Sequence, residues 1–352
     1  MRVLVYEFVT GGGMWSVGQQ PSGSLLAEGR AMAGALCEDF AALGAEVTTL
    51  VDARLSGPVI GGAMRISSVA EERDALARLA KAADWTIVIA PETAGSLLER
   101  CQWVQQAGGR LLSPASATIE LASSKQRTAA HLAKRGIAVP RGLQIGEGFD
   151  AANLQAGWFP AVLKPLDGCG SEDVRLVRSR EELRAIGARH AWRLEQYVPG
   201  LAASVAVLCG PSRAIALPAC EQRLSHDGRF TYLGGRTPLK TPLDKRARRL
   251  ALAAVASLPD PLGYIGVDLV LGDDANGRAD HVIEINPRLT TSYVGLRALC
   301  RENLAAAMLA AAEGREPALS WHERVVEFSA GGAVRVPPRQ CPQPSQPHCF
   351  DR

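Results

Sequence analysis

YIGVDLVLGDDANGRADHVIEINPR, residues 264–288, sets two apolar, β-branched runs on either side of a polar loop that contains Asn276-Gly277. Runs of that kind joined by Asn-Gly read as a β-hairpin. Acidic or amide side chains interrupt them at Asp268, Glu284 and Asn286. Glu284, Asn286 and Arg288 fall two residues apart, so on an extended strand they share one face. Symmetry about Asn276 sets Asp268 opposite Glu284 and on that same face. A two-residue Asn-Gly turn would put Asp268 out of phase, so this pairing requires an odd-length loop or a bulge. Two carboxylates and an amide oxygen on one face make a hard-oxygen metal site, of the kind Mg²⁺ prefers when phosphates supply further ligands; Mn²⁺ accepts the same donors. Arg288 beside them can stabilise charge on a phosphate or an oxyanion. Any one of these residues could simply belong to the polar face of a hairpin. Four of them in phase inside such apolar strands favour a site.

Upstream, Val162-Leu163-Lys164 reads as a strand that runs into Pro165-Leu166-Asp167-Gly168-Cys169-Gly170-Ser171. Backbone N–H groups of a loop containing Gly168, Gly170 and Ser171 can cradle phosphate oxygens. Taken alone, the same loop could equally be an ordinary turn. It is not a Walker loop, since G-x-x-x-x-G-K-[ST] occurs nowhere in the chain. Gly11-Gly12-Gly13-Met14-Trp15-Ser16 lacks the third glycine of the dinucleotide fingerprint, which disfavours a dehydrogenase. That triplet ends the first strand and is either a substrate contact or a plain turn.

The rest of the chain divides into four parts. Residues 1–115 alternate strand and helix, with strands at 3–9, 47–51, 86–90 and 110–113 and helices at 24–43, 68–82 and 94–107. Such β-α-β repetition predicts a parallel sheet covered by helices. Residues 116–200 form a small lobe, with a helix at 117–135, the Lys164 strand and loop, and a strand at 192–198. In residues 201–330, strands at 204–209, 213–218, 265–271 and 281–286 are spaced for an antiparallel sheet, with helices at 242–257 and within 295–313. Residues 331–352 are rich in proline and glutamine and read as a disordered tail.

Composition excludes several classes. The 352 residues are 47% hydrophobic and 21% charged, ordinary for a globular protein of two or three domains. Thirty-nine Lys and Arg against 36 Asp and Glu leave +3, which makes no electrostatic case for nucleic acid or an anionic membrane. No apolar run approaches the ~18 residues of a spanning helix, and the first residues lack the layout of a signal peptide. Eight cysteines without a C-x-x-C pair point to reduced thiols, and hence to the cytoplasm. Cys169 has no neighbouring His and reads as filler rather than a nucleophile. His226-Asp227-Gly228 reads as a turn, and the basic run 245–249 as a solvated helix face. Self-association is left open.

Lys125 on a helix, Lys164 before a glycine loop, EQYVPG at 195–200, Asp268 and Glu284-x-Asn286-x-Arg288 together resemble the ATP-grasp superfamily, over residues 117–310. The resemblance implies a three-part α/β plus α+β fold, with an N-terminal βαβ domain and two lobes that clasp ATP. It further implies Lys125 and Lys164 on phosphates, Glu195, Gln196 and Val198 at the adenine edge, and two Mg²⁺ on Asp268, Glu284 and Asn286. Arg288 and Lys164 would be the catalytic residues. Ala202-Ala203 stands where many relatives place a ribose-binding acid, so the ribose contact is unassigned. In the N-terminal half, VYEFVTGGG, SLLAEGRAM (24–32) and LCEDFAALG (36–44), with the later EQRLSHDGRFTYLGG (221–235), resemble the tyramine–glutamate ligase group of methanofuran-type cofactor biosynthesis. That implies an ATP-dependent carboxylate–amine ligase acting on L-glutamate and tyramine or tyrosine. Glu7, Arg223 and Tyr232 could line its substrate pocket. Another amino-acid ligase, or a nucleotide-binding protein of the same fold without catalysis, is the alternative.

Overall fold

The computed structural model describes residues 1–57, 62–155, 157–166, 173–187 and 191–338. In the N-terminal part, β1 (Arg2–Glu7), β2 (Glu46–Asp52), β3 (Gly62–Ile66) and β4 (Trp85–Ile89) form a parallel sheet in the order β3-β2-β1-β4. Helices α1 (Gly23–Ala42), α2 (Val69–Ala82) and α3 (Ser96–Gln106) connect the strands. β3 escapes sequence reading because it is a largely exposed edge of five residues with no apolar run. The expected strand at 110–113 shrinks to a single bridge between Leu111 and Thr86. Pro114 follows and has no N–H to extend the ladder.

The helix expected over 117–135 is broken into α4 (Ser116–Ala122) and α5 (Lys125–Ala133). Ser124 adopts an extended conformation and its side chain accepts a hydrogen bond from the Arg127 amide, capping α5. Lys125 thereby opens a helix instead of lying inside one. An antiparallel sheet follows, built from β5 (Gly142–Ile145), β6 (Ala161–Pro165), β7 (Arg175–Val177) and β8 (Trp192–Gln196) in the order β5-β8-β6-β7. Ile145, Leu163, Val177 and Leu194 pack with Leu183 of α6 (Arg180–Ile186) beneath it.

The C-terminal part is one antiparallel sheet of β9 (Leu201–Cys209), β10 (Ala214–Ala216), β11 (Cys220–Leu224), β12 (Tyr232–Thr237), β13 (Gly263–Leu271), β14 (His281–Asn286), β15 (Val326–Ser329) and β16 (Val334–Arg335). Its order is β14-β13-β9-β11-β12-β15-β16, with β10 beside β9. Helix α7 (Thr241–Ala256) buries Ala247, Ala251 and Val255 on one face with Val205, Val207, Ile265 and Val267. On the other face, α8 (Ser292–Leu299) and α9 (Leu304–Ala312) share a core with β1 and α1, in which Val3, Val5 and Phe40 meet Leu208, Tyr264 and Leu296. The disorder expected from 331 does not hold for its first residues, because Val334 and Arg335 pair with Phe328 and Glu327. Residues 339–352 lie outside the described residues, as do Cys341 and Cys349. No helix among the described residues is long and apolar enough to cross a membrane.

Candidate active site

The β13–β14 hairpin carries the register that the sequence required. Asp268 pairs with Glu284, and a bulge follows between Asp268 and Leu269. The bulge brings both carboxylates to one face while Val267, Leu269, Val282 and Ile285 stay buried on the other. Gln222 of β11 donates to Asp268 Oδ1 at 2.9 Å and Asn286 donates to Oδ2 at 3.0 Å. Glu284 Oε1 lies 2.9 Å from Lys125 Nζ at the start of α5. The two carboxyls titrate apart. Burial, then the charge of Glu284, pushes Asp268 up to about 7 against Asn286, Arg288 and Gln222. Burial also pushes Glu284 up, but Lys125, Lys164 and Arg288 together outweigh it and hold that carboxyl below its ordinary value. Like charges crowded in a buried place behave in this way, and a bound cation would relieve the repulsion. Among the described residues no group of three or more His, Cys, Asp or Glu forms a metal cage. Two carboxylates and one amide oxygen suit an ion that draws its other ligands from phosphate and water.

Lys164 of β6 is buried, with its Nζ 2.5 Å from Glu195 Oε1 of β8. The other oxygen of Glu195 meets Arg193 Nε at 2.8 Å, and Arg193 Nη2 donates to the Pro140 carbonyl. The resemblance gave Glu195 to an adenine edge; in the structure its carboxylate is committed to two cations, which a buried carboxylate requires. Gln196, Tyr197 and Val198 line the cleft just beyond it. Gly200 closes this stretch at φ +151°, and a Cβ there would lie 2.5 Å from the Leu271 carbonyl oxygen, so only glycine fits. Gly168, Gly170 and Ser171, together with Cys169, lie outside the described residues.

Arg288 follows β14 and reaches the N-terminal part. Its Nε lies 3.0 Å from Glu92 Oε1 and its Nη2 donates to Glu92 Oε2 at 3.2 Å. Glu92 was not singled out in the sequence, although Pro91-Glu92 sits just past the carboxyl end of β4, where parallel sheets gather functional groups. Arg223 and Tyr232 line the cleft, whereas Glu7 and the Gly11–13 triplet do not. Glu7 is buried and accepts hydrogen bonds from the Val9 and Thr10 amides and the Thr10 hydroxyl, at 3.0, 2.8 and 2.7 Å, which fixes the turn after β1. His226, Asp227 and Gly228 lie in the turn between β11 and β12. Lys125, Lys164, Asp268, Glu284, Asn286 and Arg288 all face one cleft of about 770 Å³, within the range of small-molecule sites. Ala202 lines it as well, so no acid stands where the ribose contact was sought.

Comparison with known proteins agrees with this geometry. Residues 122–292 match a model described as an ATP-grasp domain, and residues 45–119 match one described as a pre ATP-grasp 3 domain. The chain is 27% identical over 136 residues to the tyramine–L-glutamate ligase of Methanocaldococcus fervens, covering 39% of this chain and 40% of that protein. It is 24% identical over 216 residues to the protein of that name from Methanocaldococcus jannaschii, covering 61% and 58%. These alignments thus span about half the length of the curated relatives. An ATP-grasp superfamily protein from Archaeoglobus fulgidus shares the fold, with a TM-score of 0.71, 21% identity and coverage of 94% of this chain and 92% of that one.

Proposed function

The chain belongs to the ATP-grasp superfamily, and on that premise we propose that it is an ATP-dependent carboxylate–amine ligase. We further propose that it joins the γ-carboxylate of L-glutamate to tyramine or tyrosine, releasing ADP and phosphate. The observation that carries the ligase reading is the convergence of Lys125, Lys164, Asp268, Glu284, Asn286 and Arg288 on one cleft. The choice of substrates rests on the names of the two relatives and on the motifs of the N-terminal half. ATP, bound with Mg²⁺ or Mn²⁺, would supply the phosphoryl group that turns an unreactive carboxylate into an acyl phosphate.

The chain's own residues do the positioning. Asp268, Glu284 and Asn286 offer hard oxygens to one or two divalent cations. Lys125 and Lys164 place ammonium groups where phosphate oxygens gather, and the loop with Gly168, Gly170 and Ser171 would cover them with N–H donors. With the Glu195 carboxylate held by two cations, the Glu195 backbone, Gln196 and Val198 stay the candidate adenine edge. Arg288 offers its guanidinium to the acyl group as the amine attacks and charge builds on oxygen. All of this is orientation and electrostatics, which is most of what phosphoryl transfer asks of a protein. The test is phosphate release from ATP with Mg²⁺, L-glutamate and a panel of amines, with product masses recorded. A glutamyl-tyramine or glutamyl-tyrosine mass that disappears in Glu284→Ala is expected. Turnover with other acid–amine pairs alone would overturn the substrates but keep the ligase. ATP binding without turnover of any pair would overturn the ligase.

A further inference from the structure

Glu28 is an acid of the cleft with no place in this scheme. Glu28 stands in the second turn of α1, in the N-terminal part, and lines the cleft together with Arg288, Thr291 and Tyr232. Gly29 sets its position. A Cβ at 29 would lie 2.5 Å from the Glu7 carboxyl, so glycine lets α1 settle against the end of β1. Three other carboxylates around the site each meet a cation, Glu284 with Lys125, Glu195 with Lys164 and Arg193, and Glu92 with Arg288, while Asp268 is held by the amides of Gln222 and Asn286. Glu28 has no cation at ion-pair distance among the described residues, and its hydrogen bond is a long one from Thr291 Oγ1 at 3.4 Å. Burial raises its carboxyl, with Arg288 and Thr291 opposing. Met32, one turn further along α1, adds an apolar wall to the same cleft. The partly buried phenol of Tyr232 lies within Coulombic reach of both Asp268 and Glu28.

A half-buried carboxylate without a cation of its own, beside an apolar wall and within Coulombic reach of Arg288, is built to receive a positive group from a ligand. We propose that Glu28 binds the primary ammonium group of a substrate, as an ion pair supported by Thr291, while Arg288 faces the acyl end. The proposal rests on the ligase reading for the identity of the ligand. The ammonium could belong to the amino acid or to the acceptor amine, and the experiment separates the two.

The test uses the full-length protein and Glu28→Gln, which keeps the shape and removes the charge. In steady-state turnover, the KM of either L-glutamate or tyramine should rise about 10- to 100-fold, the scale of a lost charge-assisted hydrogen bond. The KM for ATP should stay within about twofold, as expected of a residue away from the nucleotide. The substrate whose KM rises owns the ammonium. Equal KM values for both substrates in the two proteins would overturn the proposal. A second readout is independent of turnover: thermal unfolding with Mg·ADP and with L-glutamate, tyramine or propylamine. Stabilisation of the wild type by one of these amines, absent in Glu28→Gln while Mg·ADP stabilises both, supports the ammonium site even if no ligase product forms. Equal stabilisation of both proteins by the amines, or none in either, would overturn it.

Discussion

Glu92→Gln tests whether the N-terminal part aims Arg288. The carboxylate holds the guanidinium through two contacts, at 3.0 and 3.2 Å, and both side chains are largely buried. At 3.0 Å and an effective dielectric of about 20, their attraction is about 5.5 kcal/mol before desolvation is deducted. Removing one partner of such a pair typically costs about 3–5 kcal/mol, because the other is left buried and uncompensated. Gln keeps the volume and one acceptor, which places it at the low end, about 3 kcal/mol. For a chain of 352 residues that corresponds to a Tm lowered by about 4 °C. In turnover, a guanidinium released from its clamp should stabilise the developing oxyanion less well, with kcat falling about 10- to 100-fold and the KM for ATP nearly unchanged. The decisive measurement is the cycle with Arg288→Ala. If Glu92 acts through Arg288, adding Glu92→Gln to Arg288→Ala lowers kcat no further. Multiplicative losses in the double variant, or an unchanged kcat in Glu92→Gln alone, would refute the reasoning.

Lys164→Met should weaken ADP binding about tenfold or more by calorimetry, since it removes a phosphate-facing charge and leaves Glu195 paired to Arg193 alone; unchanged affinity would move the phosphates elsewhere. Asp268 keeps its proton in the folded protein up to about pH 7, whereas the ordinary carboxyl value is 3.8. The stability it contributes is therefore full below about pH 4 and lost as the pH rises through 7. Without divalent cations, Asp268→Asn should be the more stable protein above pH 7, and its advantage should vanish toward pH 4; a pH-independent difference in Tm would contradict this. Burial pushes the thiols of Cys37, Cys101, Cys209 and Cys220 up to about 12 and that of Cys300 to about 11. At pH 8 only about one in ten thousand of the first four is a thiolate, so thiol reagents should leave them unmodified in the native protein and label them on unfolding. Rapid native labelling at any of the four, located by peptide mass, would count against this.

What the sequence showed and what it hid divide along a physical line. The β13–β14 hairpin was legible because its message is local: a period of two, a turn dipeptide, and acids at a phase that needed an odd-length loop or a bulge, and a bulge stands between Asp268 and Leu269. The parallel sheet was legible for the same reason, each βαβ step being a short-range pattern. β3, β5 and the β15–β16 pair were not, since they are short and partly exposed, and β5 and β15 are carried by pairing with strands far along the chain. The break at Ser124 could have been suspected from its capping chemistry, yet the apolar rhythm on both sides concealed it.

The partners of the site's cations were beyond reach altogether. The ion pair of Glu92 with Arg288 joins residues 196 positions apart, and no spacing rule relates them. The resemblance pointed each cation at a ligand; the fold shows that each meets a carboxylate of its own, Lys125 with Glu284, Lys164 with Glu195 and Arg288 with Glu92. Desolvation makes this necessary, because the buried Lys125 and Lys164 and the largely buried Arg288 would each cost the folded chain several kcal/mol without a counter-charge, together on the order of its whole stability. The proposed function turns that necessity to use. On that reading, Glu284 would serve as a ligand to a divalent cation and leave Lys125 to a polyphosphate, so charge would stay matched before and after binding. Glu28, with no ion pair among the described residues and no place in the proposed metal set, is the acid whose counter-charge, on the proposal above, comes with the substrate.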